Sequence, residues 1–301
     1  MVLNMLETFN SGGTQLTAEN LSVVVNVWGN DDPIAFKRSM QSVRAQETQA
    51  KELIVVVDGP INTALEGIIQ EISDLNPRII RVSKATGLWN ARNIGIAEAS
   101  TEFVALHDAD DVMHPKRLTY QLKEIEKSEI DVVASPVFEF DAKSEQLIGL
   151  RILCDNNNLI KKMRWLNVIN HSSVLLRRSA VLDVGGYRNI YLAEDYDLWI
   201  RMIQKDKQFF CTSQAVQAFS VDSELTKRRG GLRFIKSELA IHRTISEAVE
   251  MHPIEMTVRL VVRIVYRTSP RFVRTSYRRL SQISKQNKFK SLSEFLATEP
   301  L

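Results

Sequence analysis

The sequence predicts an α/β protein, a doubly wound and mostly parallel sheet followed by a basic helical extension. Three observations lead there. Short β-branched runs alternate with helical stretches from Leu21 onward. Two of those runs end in acidic turns, Asp58-Gly59-Pro60 and Asp108-Ala109-Asp110-Asp111. Charge is also uneven: from Thr226 to Leu301 there are 16 Lys and Arg against 6 Asp and Glu, while the preceding residues hold 23 against 30. An acidic-leaning body with a basic tail implies that the tail meets an anionic surface.

Met1 to Asn20 reads as a polar lead-in, ordered only where it docks, and it lacks the basic start and apolar run of a secretion signal. Leu21 to Trp28 is apolar on both faces, as a buried strand of a parallel sheet must be. Pro33 to Gln46 is a helix with Ile34, Met40 and Val43 among its apolar positions. Glu52 to Val57 is a second buried strand, stopped by the Asp58-Gly59-Pro60 turn. Thr63 to Leu75 is helical, Arg78 to Ser83 a third strand and Trp89 to Ala99 a helix. Phe103 to His107 is a fourth strand, and Pro115 opens another helix, where a proline in the first turn is tolerated. Asp131 to Phe140 and Ser172 to Arg177 are further strands, Glu194 to Gln204 is a helix, and the chain after about Gly230 is helical and basic.

The 301 residues are 44% hydrophobic and 25% charged, a globular composition with enough length to bury a full core. No run of about 18 uncharged apolar residues occurs, so no spanning helix is expected. Cys154 and Cys211, the two cysteines, need not pair; nothing resembles a disulfide framework or a cysteine zinc site, and a reducing cytosol is the default.

Ligands of doubly wound sheets bind beyond the carboxyl ends of the strands, where Asp58 and Asp108 to Asp111 fall. Carboxylates two apart, as in Asp108 and Asp110, suit one hard cation such as Mg2+ or Mn2+ together with substrate phosphates, or else form an acidic loop capping the next helix. Asp58 is either part of a plain turn or an acceptor for a ligand over the strand end. Gly87 precedes a helix whose free N–H groups face that edge and suit an anion. Arg92 in that helix either neutralises phosphate or pairs with an acid of the cluster. Glu194-Asp195 opens a helix as a cap or supplies a general base. His171 is structural or part of the site. Gly185-Gly186-Tyr187 is a turn that lets the backbone approach something closely.

The order SVVVNVW, ELIVVVDGP, GLWNARNIGI, FVALHDADDVMHP, HSSVLLRRSAV, VGGY, EDYDLWIRM resembles the family 2 glycosyltransferases, with their nucleotide-sugar-binding GT-A fold, from Leu21 to about Arg229. It looks closest to bacterial enzymes of capsule, exopolysaccharide and O-antigen assembly. The resemblance divides the chain into a lead-in (1–20), a GT-A domain (21–230) and a basic helical extension (231–301). It assigns Asp58 to the nucleotide base, Asp108 to the ribose or sugar, Asp110 to the metal, and Arg92 and Asn93 to the donor. Asp195 becomes the catalytic base, with Glu194, Asp111 and His171 supporting it or touching acceptor. Two family acids or prolines are absent: Val57 stands where a second Asp is usual, and Asn26 where a Pro is usual. A late metal-ligand His is not evident either, with Asp222 a weak substitute.

The implied activity is inverting, Mn2+- or Mg2+-dependent transfer of a hexose or N-acetylhexosamine from a UDP-sugar to a polyprenyl-diphosphate-linked saccharide. The alternative is a non-catalytic nucleotide-sugar-binding or membrane-assembly scaffold. In the tail, Arg259, Arg263, Arg267, Arg271, Arg274 and Arg278 fall on one helical stripe, split by Ser269-Pro270. The stripe is expected to lie on the anionic cytoplasmic leaflet, making the protein cytoplasmic and peripheral; its alternative is packing on the catalytic domain. No nucleic-acid motif accompanies the charge.

Overall fold

Alternate residues of the Leu21–Val27 run supply two different cores, which is why the run is apolar throughout. Leu21, Val23, Val25 and Val27 pack on one face of the sheet and Val24 on the other. The computed structural model describes residues 2–3, 6, 16–127, 129–152, 154–221, 232–270, 272–274, 276 and 289–300. Within them lie strands β1 (Leu16–Trp28), β2 (Thr48–Asp58), β3 (Arg78–Val82), β4 (Phe103–Asp108), β5 (Val112–Met113) and β6 (Val132–Ala134). They continue with β7 (Val137–Asp141), β8 (Leu147–Arg151), β9 (Leu175–Arg177), β10 (Phe209–Cys211) and β11 (Gln217–Val221).

One sheet has the order β10-β6-β9-β4-β1-β2-β3. All its neighbours are parallel except β9, which runs antiparallel to both β4 and β6. Helices α1 (Pro33–Arg44), α2 (Thr63–Glu71) and α4 (Arg117–Ile125) cover one face. Helices α3 (Leu88–Glu98) and α7 (Glu194–Gln204) cover the other, and Ile241 and Ile245 of α8 (Leu232–Ala248) join them. The predicted doubly wound, mostly parallel sheet is therefore present. Two short helices, α5 (Leu159–Met163) and α6 (Arg178–Asp183), lie in the segment between β8 and α7.

The structure departs from these expectations at several points. β1 begins at Leu16, inside the expected lead-in, and pairs Leu16 to Ala18 with Thr48 to Ala50 before its register shifts. The single strand expected from Asp131 to Phe140 is two, broken at Pro136, which has no N–H for a ladder. Its halves enter different sheets, since β7 belongs to a second sheet ordered β5-β11-β7-β8. The helix expected from Pro115 starts at Arg117. Cys154 and Cys211, expected to need no pairing, form a disulfide with a Cα–Cα distance of 5.8 Å, because the side-chain amide of Asn156 brackets the Cys211 backbone and brings the two segments together.

The tail continues with α9 (Pro253–Thr268) and α10 (Leu292–Ala297). Phe295 and Leu296 of α10 pack with Val2, Leu6, Phe138 and Phe140, so both chain ends dock on the second sheet.

Candidate active site

Parallel pairing brings the carboxyl ends of β1, β2 and β4 to one edge, and with them Asp58 and Asp108. Asp58 is buried. Its carboxylate accepts from the Thr86 N–H (2.7 Å), the Thr86 hydroxyl (3.0 Å) and the Gly87 N–H (2.9 Å). It thereby shapes the loop that leads into α3. Gly59 is required beside it, with φ +86° and Ala85 N only 2.8 Å from where a Cβ would stand.

Arg92 of α3 is buried and bridges two elements. It donates to Glu194 Oε1 at 2.9 Å and reaches Asp108 Oδ1 at 3.3 Å, while its guanidinium lies 5.6 Å from the Tyr187 ring centre. Burial opposes the Arg92 charge, but Asp108 and Glu194 outweigh it and raise its pKa. Burial likewise works against a charged Asp108, yet His171, Arg92 and His107 hold its carboxyl below the ordinary value. Glu194 stays raised, through burial and its neighbour Asp195, despite Arg92.

His171 places Nδ1 3.4 Å from Asp108 and pairs Nε2 with the Tyr187 hydroxyl at 2.9 Å. Asn93 bonds the Tyr187 backbone twice, donating to its carbonyl at 2.9 Å and accepting from its N–H at 2.7 Å. The preceding Gly186 has φ +67°, and a Cβ there would strike the Asn93 amide oxygen. Tyr187, first visible only as the end of a turn, is thus the residue on which Arg92, Asn93 and His171 converge.

Asp195 is half-buried beside Glu194. Its Oδ2 accepts from the Asn167 amide at 2.8 Å and its Oδ1 from the Tyr196 N–H at 2.8 Å. Asn167 carries no motif, and sequence reasoning missed it. The fully buried Asp197 anchors the same helix by pairing with Arg201 (2.8 Å) and the Thr244 hydroxyl of α8 (2.7 Å).

Residues 22–185, more than half of the chain, match the family model described as Glycosyl transferase family 2. The chain belongs to that family. It is 26% identical over 251 residues to the amylovoran biosynthesis glycosyltransferase AmsE of Erwinia amylovora, covering 83% of this chain and 94% of that one. It is 26% identical over 263 residues to the UDP-Gal:alpha-D-GlcNAc-diphosphoundecaprenol beta-1,3-galactosyltransferase of Escherichia coli, covering 85% and 93%. A solved structure of S. aureus TarS in complex with UDP-GlcNAc superposes with a TM-score of 0.62 at 16% identity, covering 87% of this chain and 76% of that one. The fold is the GT-A type that the motif order implied.

The remaining acids of this family 2 glycosyltransferase differ sharply in exposure. Asp110 is exposed at the sheet edge. Asp111 is fully buried, accepts from the Ser172 hydroxyl and from the Ser220 N–H (2.8 Å), and ties the acidic turn to β11. Burial and the neighbouring Asp110 and Asp108 raise its pKa well above the ordinary value. Arg117, unremarked in the sequence, lies fully buried behind them. It donates to the carbonyls of Leu106 (2.9 Å) and Val174 (3.1 Å) and to Gln217 (2.7 Å), locking β4 against the His171 turn. Burial pulls its pKa down to about 9.

Among the described residues no cluster of three or more His, Cys, Asp or Glu forms a closed metal site. The oxygen chemistry of Asp110 and Asp108 fits a Mg2+ or Mn2+ that brings further ligands from a substrate diphosphate and water. Asp222 lies outside the described residues.

Among the described residues the cationic stripe does not face outward. Arg259 is fully buried and donates to the Arg164 carbonyl at 2.7 Å. Arg263 and Arg267 both pair with the buried Glu238 of α8, at 2.7 and 2.8 Å, and Arg267 stacks 3.9 Å from the Phe234 ring centre. Burial opposes a charged Glu238, but the two arginines hold its carboxyl below the ordinary value. A buried counter-charge and an aromatic face therefore draw the stripe inward, the packing alternative. The outward face is apolar instead: Ile254, Val258, Val261 (55%), Val262 and Val265 (60%) are exposed, as is Phe272 (72%) beyond the helix. The expected break holds at Ser269, with α9 ending at Thr268 and residues 272–274 helical again. Arg271 and Arg278 lie outside the described residues. Among the described residues no helix is long and apolar enough to cross a membrane.

Proposed function

We propose that this glycosyltransferase moves a hexose or N-acetylhexosamine from a UDP-sugar to a lipid-linked saccharide, with inversion, in bacterial surface-polysaccharide assembly. The observation that carries the reading is the Arg92 bridge, which brings Glu194-Asp195 to the edge occupied by Asp108. The UDP-Gal donor and GlcNAc-diphosphoundecaprenol acceptor of the E. coli relative, and the bound UDP-GlcNAc of the TarS structure, favour this chemistry.

The donor nucleotide lies over the loop that Asp58 shapes through the Thr86 and Gly87 N–H groups, at the start of α3. Asp108 contacts the ribose or sugar, and Arg92 balances the acids around it. Asn93 acts through Tyr187 and so orients His171. A Mn2+ or Mg2+ ion held by Asp110, when bound with the donor, supplies positive charge to the departing nucleoside diphosphate. Asp195, oriented by Asn167, accepts the proton of the acceptor hydroxyl as that oxygen attacks the anomeric carbon. Peripheral attachment at the cytoplasmic face follows from the acceptor, with the exposed apolar face of α9 entering the interface region of the bilayer.

A thermal-shift panel of UDP, GDP, dTDP and ADP, with and without Mn2+, tests the reading on wild type and Asp110→Ala. The expected result is a Mn2+-dependent shift with UDP that Asp110→Ala removes. A shift with another nucleotide instead would replace the donor, and the absence of any shift would overturn the activity.

A further inference from the structure

The interior arginines of the tail do more than close α9 on α8. A cavity of about 150 Å³ is lined by Arg263, Arg267 and Arg274 of the tail, by Arg151 of β8, and by Asp195 with its partner Asn167. Its charged lining is completed by Glu238, so four arginines and two acids line it, with Arg151 also 3.9 Å from the buried Glu139. Asp58, Asp108 and Arg92 are not part of that lining, so the cavity meets the donor edge only at Asp195, whose neighbour Glu194 bonds Arg92. Burial first, and the adjacent Arg263 second, pull the Arg267 pKa down to about 10 against the attraction of Glu238. Arg274 donates to the carbonyls of Arg267 and Ser269, which hold its head group in the cluster.

We propose that this arginine-lined cavity binds the diphosphate of a lipid-linked sugar acceptor. The proposal rests on the acceptor reading above and adds the residues that recognise it. Two features beyond the charge support it. The cavity contains Asp195, so an acceptor anchored there presents its sugar hydroxyls to the base. The helix that supplies Arg263 and Arg267 turns an apolar face to solvent, through Val258, Val261, Val262 and Val265. One helix therefore offers cations to a diphosphate and apolar surface to the lipid attached to it. A diphosphate diester carries two negative charges, which the cationic excess of the lining attracts. Forked arginine donors suit such oxygens better than lysine does.

The test uses the full chain saturated with UDP and Mn2+, so that the donor site is closed to competing diphosphates. Farnesyl diphosphate and farnesol, both below their aggregation limits, are titrated by calorimetry, alongside phosphatidylcholine vesicles with and without phosphatidylglycerol. The diphosphate should bind at least about tenfold more tightly than the alcohol. Arg274→Gln and Arg267→Gln should each raise its Kd about tenfold, and Arg274→Lys by less. Glu238 keeps its Arg263 pair in both glutamine variants, and an unchanged UDP affinity certifies their folding.

Equal affinity for diphosphate and alcohol would overturn the proposal, as would unchanged Kd values in both arginine variants. Loss of phosphatidylglycerol-dependent vesicle binding with intact farnesyl diphosphate affinity would also overturn it, assigning the arginines to bulk headgroups. Absence of UDP binding in wild type would defeat the donor reading alone: the two arginine substitutions still report whether farnesyl diphosphate uses this cavity, with circular dichroism then certifying their folding.

Discussion

Arg92 and Glu194, 102 positions apart in sequence, meet in a buried 2.9 Å charged hydrogen bond. Through it the acidic turn after β4 and the first turn of α7 become one constellation, because the same guanidinium also reaches Asp108. Removing one member of a buried charge network leaves the others without compensation. Arg92→Met should therefore lower stability by about 3 kcal/mol, in the range for a broken buried pair, and abolish transfer. Urea denaturation and an assay of released UDP read the two effects. Wild-type stability in Arg92→Met would show that Glu194 and Asp108 do not depend on this cation.

The sheet was legible in the sequence because its strands are buried on both faces and so read as unbroken apolar runs. The Glu194–Gln204 helix was legible from its acidic start and apolar spacing. The Asp131–Phe140 segment misled for a physical reason: Pro136 interrupts two strands whose local pattern is continuous. The acids were legible as residues but not in their bonding, since Asp111 and Asp110 are adjacent in sequence and opposite in burial. Asn167 could not be found from sequence, because an amide that orients a carboxylate has no characteristic spacing. The arginine stripe showed its period without its direction. Direction is decided by Glu238, a single acid on a neighbouring helix.

Asp195→Asn isolates proton transfer from architecture. The amide oxygen keeps one of the two bonds that Asp195 accepts, that from Asn167, and gives up that from the Tyr196 N–H, while Asp197, bonded to Arg201 and Thr244, still anchors α7. General-base removal costs about 100-fold or more in kcat. The expected outcome is that loss in transfer rate with an unchanged Kd for UDP by calorimetry. Near-normal turnover would remove Asp195 as the base.

His107 sits fully buried beneath Asp108, bonded to Ser39 at 3.0 Å and 3.3 Å from Gln217. Burial first, and Arg117 second, pull its pKa from 6.5 to about 3. Between those values the unfolded chain takes up a proton that the folded chain refuses. Stability therefore rises with pH across that window and falls on acidification, the loss ending near the folded pKa. His107→Gln keeps a polar group between Ser39 and Gln217 without a titrating ring. Denaturation measured between about pH 7 and about pH 5 should show a slope smaller by about one proton in the variant, while wild-type slope in His107→Gln would assign the dependence elsewhere.

The inward turn of the arginines changes the expected mode of membrane attachment. A cationic stripe on a bilayer requires anionic lipid and yields to salt, since exposed charges are screened. Insertion of Val261, Val265 and Phe272 requires neither. Each such side chain, moved from water into the bilayer interface, contributes on the order of 1.5 kcal/mol, or about tenfold in partitioning. Vesicle co-sedimentation should therefore detect binding to phosphatidylcholine alone. Val261→Ser and Phe272→Ser should each weaken it by about tenfold, and high salt by less. The exposure of these positions makes the substitutions harmless to folding. Binding confined to anionic vesicles, abolished by salt and indifferent to both serines, would return attachment to charge and leave the apolar face of α9 without a role.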